Sequence, residues 1–235
     1  MTLYSQKEDN DSETAETASP SSTNHHQDRL LSLLSYLGKL HADQNLPPCG
    51  LEATEKERDL VLTVLQEVLE NNYDNHVLYS SSNTNQQPLN GKDLIGDWNL
   101  LYTSSKTMII NKSLSGLGRS TSDKARLSSI VQKLSGNPKF MGSVELVEHF
   151  SGVDGTNDAA SFDVKVTGEW FILDNGAATL EIQPNRIDYV ATTANAEDWA
   201  SLGPIKRLDV VYLSESVMIS RGSANPQSIF IWQRI

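Results

Sequence analysis

Residues 94 to 105 read LIGDWNLLYTSS, an alternating segment that starts directly behind a glycine. In an extended chain successive side chains point to opposite faces. The spacing therefore sets Trp98, Leu100 and Tyr102 on one face and Asn99, Leu101 and Thr103 on the other. A face carrying tryptophan, leucine and tyrosine loses water favourably and calls for burial. Gly96, two residues ahead of Trp98, suits a point where the backbone bends or approaches another group closely. Trp98 behind it has the bulk to plug one end of a barrel.

The same period returns along the C-terminal two thirds of the chain. Alternation runs from Val144 to Phe150 and again at Phe162, Val164 and Val166, set against Ser161, Asp163, Lys165 and Thr167. Further strands are expected at Thr179 to Gln183, Arg186 to Ala191, Leu208 to Leu213, Val217 to Arg221 and Ser228 to Arg234. With strands at Asp97 and Thr107 the total is about nine. Turn signals separate them at Val153-Asp154-Gly155, Asp174-Asn175-Gly176, Pro184-Asn185, Ser214-Glu215 and Asn225-Pro226. Antiparallel neighbours joined by short connections close into a barrel or a sandwich, and a barrel of this size has room for a small apolar ligand.

Residues 112 to 142 interrupt the pattern with glycines, serines and cations that include Lys112, Arg119, Lys124, Arg126 and Lys133. The reading is a loop or a lid over the barrel mouth, with a short helix around Ala125 to Leu134. Its positive charge suits an acidic headgroup or carboxylate as well as plain solvation.

Two amphipathic helices precede the strands. Leu30, Leu31, Leu33, Leu34, Leu37 and Leu40 recur at helical spacing, as do Leu60, Val61, Val64, Leu65, Val68 and Leu69 after the Pro47-Pro48 break. Thr54 and Glu57 form a capping box at the start of the second helix. The chain divides into an acidic, disordered tail over 1–26, a helical segment over 27–72, a linker over 73–93 and the barrel over 94–235.

Composition narrows the function. A net charge of -11 disfavours nucleic acid and simple attraction to anionic lipid, so membrane contact would be peripheral and mainly apolar. No uncharged apolar run is long enough for a transmembrane helix. The single cysteine, Cys49, lies in a Pro-Pro-Cys-Gly loop. The histidines are scattered: His25 and His26 in the tail, His41 after the first helix, His76 in the linker and His149 on the polar side of a strand, with no metal-ligand spacing. Asp163 and Glu169 fall on a solvated strand face, and no glycine-rich phosphate loop opens a helix. The residues supply no catalytic set, no metal site and no cofactor motif.

Three blocks in this order resemble the plastid lipid-associated protein family, also called fibrillins or plastoglobulins: LIGDWNLLYTSS at 94 to 105, GSVELVEHF at 142 to 150 and RLDVVYLSESVMISRG at 207 to 222. The helical ERDLVLTVLQEVLENN ahead of a linker is similar too. The resemblance implies a mainly β fold, a lipocalin-like antiparallel barrel behind two helices. It implies location in plastids, at thylakoids or plastoglobules, and non-enzymatic binding of prenylquinones, carotenoids or fatty acids. The alternatives are a coat on plastid lipid droplets, touching lipid through Phe140 and Met141 or Trp199 and Leu202, and a lipid-modifying barrel enzyme. In the carrier reading Trp98, Leu100, Tyr102, Phe162, Val164, Val166, Tyr189, Val210 and Tyr212 line the cavity around an apolar lipid or isoprenoid ligand. Gly96 and Trp98 form the signature at the barrel's start, and Arg221 with Gly222 belongs to the late strand motif, with Arg221 stacking on Trp98 or pairing with Asp209. The chain departs from the family pattern at Ser214 and Met218, where an Asp and an Arg are common.

Overall fold

A computed structural model describes residues 23–71, 89–121, 124–137, 141–152, 161–174, 178–190 and 192–235. The tail over 1–22, most of the linker, and the turns at Val153-Asp154-Gly155 and Asn175-Gly176 lie outside the described residues.

Helix α1 spans Thr23–Asp43 and α2 spans Glu55–Asn71. His25 and His26 therefore sit on α1, not in the tail. The capping box forms as expected: the Glu57 carboxylate accepts from the Thr54 backbone N–H at 2.6 Å and from its hydroxyl at 2.9 Å. The Glu57 backbone N–H donates to Thr54 Oγ1 at 3.3 Å. A one-turn helix, α3 (Gly91–Leu94), leads into strand β1 (Gly96–Thr103). Two short helices follow, α4 (Lys106–Asn111) and α5 (Leu117–Thr121). The strand expected at Thr107 is thus the first turn of α4.

The remaining strands are β2 (Ala125–Asn137), β3 (Met141–Gly152), β4 (Phe162–Asp174), β5 (Ala178–Tyr189), β6 (Thr192–Asn195), β7 (Arg207–Leu213), β8 (Val217–Gly222) and β9 (Ile229–Arg234). The short helix expected around Ala125 to Leu134 is strand β2, which pairs along its length with β3. Its apolar residues satisfy either period locally, and this pairing decides between them. The two strands expected on either side of Pro184-Asn185 are one strand, β5: the register against β4 slips there, leaving a bulge where a turn was expected. A proline lacks the N–H that a ladder needs, and a bulge accommodates it.

Every neighbouring pair is antiparallel. The order runs β4-β3-β2-β1-β9-β8-β7-β5, and β5 returns to β4, closing eight strands into a barrel. Strand β6 stands outside, on the stretch of β5 that β7 does not reach.

Two apolar layers hold the molecule together. One fills the barrel; the other lies between the barrel wall and the helices, where Leu30, Leu34 and Leu37 of α1 and Val61, Val64, Leu65 and Val68 of α2 cover Val217, Ile219, Ile229 and Ile231. Strands β8 and β9 are buried on both faces over VMIS and IFIW, which are apolar apart from Ser220. Such runs mark strands covered on two sides. A Gln27–Tyr212 hydrogen bond of 2.8 Å and a Gln27–Ser216 bond of the same length tie α1 to the barrel.

Candidate functional site: the barrel interior and its mouth

The closed end is built around Trp98, which is fully buried. Its indole N–H donates to the Leu94 carbonyl at 2.8 Å, seating α3 across the barrel floor. The cation over its ring is Arg234, whose guanidinium carbon lies 4.2 Å from the ring centroid. Arg221 does not fill this place. It lies opposite Asp209 on the neighbouring strand, while Asp209 Oδ1 accepts from Thr179 and Ser223 at 2.7 Å each. The register explains the exchange: Trp98 pairs directly with Arg234 across β1 and β9. Arg234 also donates to the carbonyls of Ile95 and Asp93 at 2.6 Å and of Glu215 at 2.8 Å. Gly96 adopts φ +139°, and a Cβ there would lie 2.7 Å from Arg234 Nη1. The Gly96–Trp98 spacing thus reads the floor correctly, with a different arginine completing it. Gly222 is buried on β8 beside the 225–228 turn.

Of the expected cavity residues, Trp98, Leu100, Val164, Val166 and Val210 face the interior, with Phe162 and Tyr189 packed at its edge. Tyr102 and Tyr212 do not; both lie in the layer under the helices. Each follows a bulge. The register slips between Leu100 and Tyr102 on β1 and between Val210 and Tyr212 on β7. A bulge turns two successive residues to the same side, here Leu101 with Tyr102 and Val211 with Tyr212, so strict alternation fails at both places.

Segment 106–121 crosses the opposite end, between β1 and β2. Its anchor is Glu148, which shares the inward phase of Leu146 and Phe150 on β3. The carboxylate accepts the backbone N–H of Leu114, and that of Ser115 at 3.2 and 3.1 Å. Burial pushes the Glu148 carboxyl up to about 7, against the pull of these hydrogen bonds. Beside it the buried Cys49 thiol, which donates to the Leu100 carbonyl at 3.1 Å, is pushed up to about 12 by burial and by the Glu148 charge. That thiol is inert as a nucleophile. Ser113 Oγ accepts the N–H groups of Gly116 and Gly118 at 3.0 Å, shaping the cap. Trp199 donates to the Ser115 carbonyl at 2.7 Å, and Lys112 pairs with Glu52 at 2.6 Å. A loop or a lid was expected over 112–142; the cap is 106–121, strand β2 takes Ala125–Asn137 and β3 begins at Met141. Leu202 is fully buried and Trp199 half-buried, so neither is a free loop tip. Phe140 lies outside the described residues, and Met141 is exposed.

The interior also holds polar groups that alternation did not single out. Gln132 is fully buried with neither amide atom partnered, and the Ser220 hydroxyl and the Trp232 indole N–H are buried and unpartnered as well. Glu148 was legible in the phase of β3. Gln132 was hidden by the helical reading of its segment.

Outside the barrel, a groove of about 880 Å³ along β5 is lined by Glu169, Glu181, Gln183, Lys206 and Arg207. Its Arg207–Glu181 pair at 2.8 Å gives it mixed charge. Among the described residues no group of His, Cys, Asp and Glu is placed to hold a metal ion. None of the described helices is long and apolar enough to cross a membrane.

Floor, interior and cap together define a closed antiparallel β-barrel with one end sealed by an indole and the other by a hydrogen-bonded cap. No protein-family model, curated protein or solved structure matches the chain.

Proposed function

We propose that the protein holds a small apolar molecule, a lipid or isoprenoid, inside its barrel and does not transform it chemically. The observation that carries this reading is the cap. Segment 106–121 closes the mouth from outside the strand ladder, held by the Leu114 and Ser115 N–H groups on Glu148, by Trp199 on the Ser115 carbonyl and by the Lys112–Glu52 pair. An eight-strand barrel is just wide enough for its side chains to fill or for one small ligand to enter, and apolar walls with a few polar groups are the usual lining of a ligand site. The motif order supports membership in the plastid lipid-associated family and, with it, a plastid location at thylakoids or plastoglobules. The exposed side chains of Ile110 on α4 and Met141 support a coat on lipid droplets as the second reading.

Native mass spectrometry with lipid extraction tests this. The expected result is one apolar species near one per chain, lost in Val164→Trp, which fills the interior. Apo-protein that coats droplets without selecting a molecule would establish the coat instead.

A further inference from the structure

Resting on the reading of the barrel as a binding site, we infer that Gln132, Trp232 and Ser220 form a belt that receives the uncharged oxygen of a neutral ligand, a hydroxyl or carbonyl on an apolar body, and rejects a carboxylate. All three are fully or almost fully buried, and none of their polar side-chain atoms has a hydrogen-bond partner.

The registers place them together. Gln132 lies opposite Trp98, Trp232 opposite Leu100 and Met218, and Ser220 opposite Phe230 and Val210. On going from β2 through β9 to β8, the residue concerned moves one inward position at a time toward the capped end. Barrel strands tilt by roughly 40° from the axis, and this tilt offsets the stagger. The three side chains therefore lie at about one height, just above the Trp98 floor.

Their chemistry selects the ligand. A buried unpaired amide or hydroxyl is costly, and four such atoms in one interior are unusual where nearly all buried polar groups are paired. Together they offer the Gln132 NH2, the Trp232 N–H and the Ser220 hydroxyl as donors, and Gln132 Oε1 and Ser220 Oγ as acceptors. That set satisfies a hydroxyl or a carbonyl. It supplies no cation for a carboxylate. The Arg234 guanidinium is committed to three carbonyls and the Trp98 ring, and Glu148, whose side chain also faces the interior, brings no positive charge.

The test is fluorescence titration of the full chain with all-trans-retinol and all-trans-retinoic acid. These share one hydrocarbon body and differ in the neutral or carboxylate end. Retinol is expected to quench tryptophan emission with at least about tenfold tighter affinity. Gln132→Leu and Ser220→Ala should each weaken retinol about five- to tenfold while raising the melting temperature of the ligand-free protein, because each removes an unpaired buried group. A destabilised fold would lower both readouts together. Retinoic acid binding as tightly as retinol overturns the inference, as do variants that bind retinol like the parent; in both cases binding inside the barrel stands. A parent that binds neither retinoid also overturns the inference, and if it purifies without a lipid the binding function falls with it.

Discussion

At the scale of single residues, the floor depends on close approach. Gly96 holds a φ of +139° with Arg234 pressed against it. Gly96→Ala places a methyl group where the guanidinium lies and is expected to cost about 2–3 kcal/mol, read as a drop in the urea midpoint. Arg234→Met breaks three carbonyl bonds and the stacking on Trp98 and should cost about 2 kcal/mol or more. Arg221→Met, away from the floor, should stay within about 0.5–1 kcal/mol. Chemical denaturation of the two variants side by side separates the arginines. Gly96 and Trp98 were legible as a floor because their spacing is local. The arginine was not, since it arrives from the last strand and only the β1–β9 register says which one.

At the scale of elements, the cap carries a pH dependence. The Glu148 carboxyl titrates at about 7 in the closed protein, above its ordinary value of 4.5. A group raised in the folded state contributes stability that is present below the unfolded value and lost as pH rises through the folded one. Closure is therefore tightest below about pH 4.5 and weakens from there to about pH 7, as opening hydrates the carboxyl and lets it ionise. Cys49, the titratable neighbour of Glu148, stays neutral across this range. Hydrogen exchange at Leu114 and Ser115 should accelerate over that interval beyond the intrinsic base-catalysed rise, and Glu148→Gln should abolish the excess. A matching excess in the variant would assign the opening to another group. The bulges at Leu101 and Val211 show why only seven of the nine residues expected to line a cavity lie at the interior or its edge: each flips the strand beyond it, and no residue type in LLYT or VVYL announces the slip.

At the scale of the whole molecule, helices and barrel share one apolar layer, so they should unfold together. Leu65→Ala, in the middle of that layer at 2% exposure, should cost about 2–4 kcal/mol. Far-ultraviolet circular dichroism and tryptophan fluorescence should report a single coincident transition. Two separate transitions would mean that the helical layer is an independent unit. The two-sided burial of VMI and IFIW was readable as unbroken hydrophobicity, whereas its cover, α1 and α2, was readable only as amphipathic helices in search of a surface.

The sequence by itself determined the class of fold, the two helices with their capping box, the Gly96–Trp98 floor and the phase that points Glu148 inward, because periodicity, capping and turn chemistry act over a few residues. Tertiary structure alone decided the rest. It chose β2 over a helix, joined β5 across Pro184, turned Tyr102 and Tyr212 outward, seated Arg234 on Trp98 and gathered Gln132, Trp232 and Ser220 at one height. Each of these depends on register and closure between strands far apart in the chain, which no local pattern encodes.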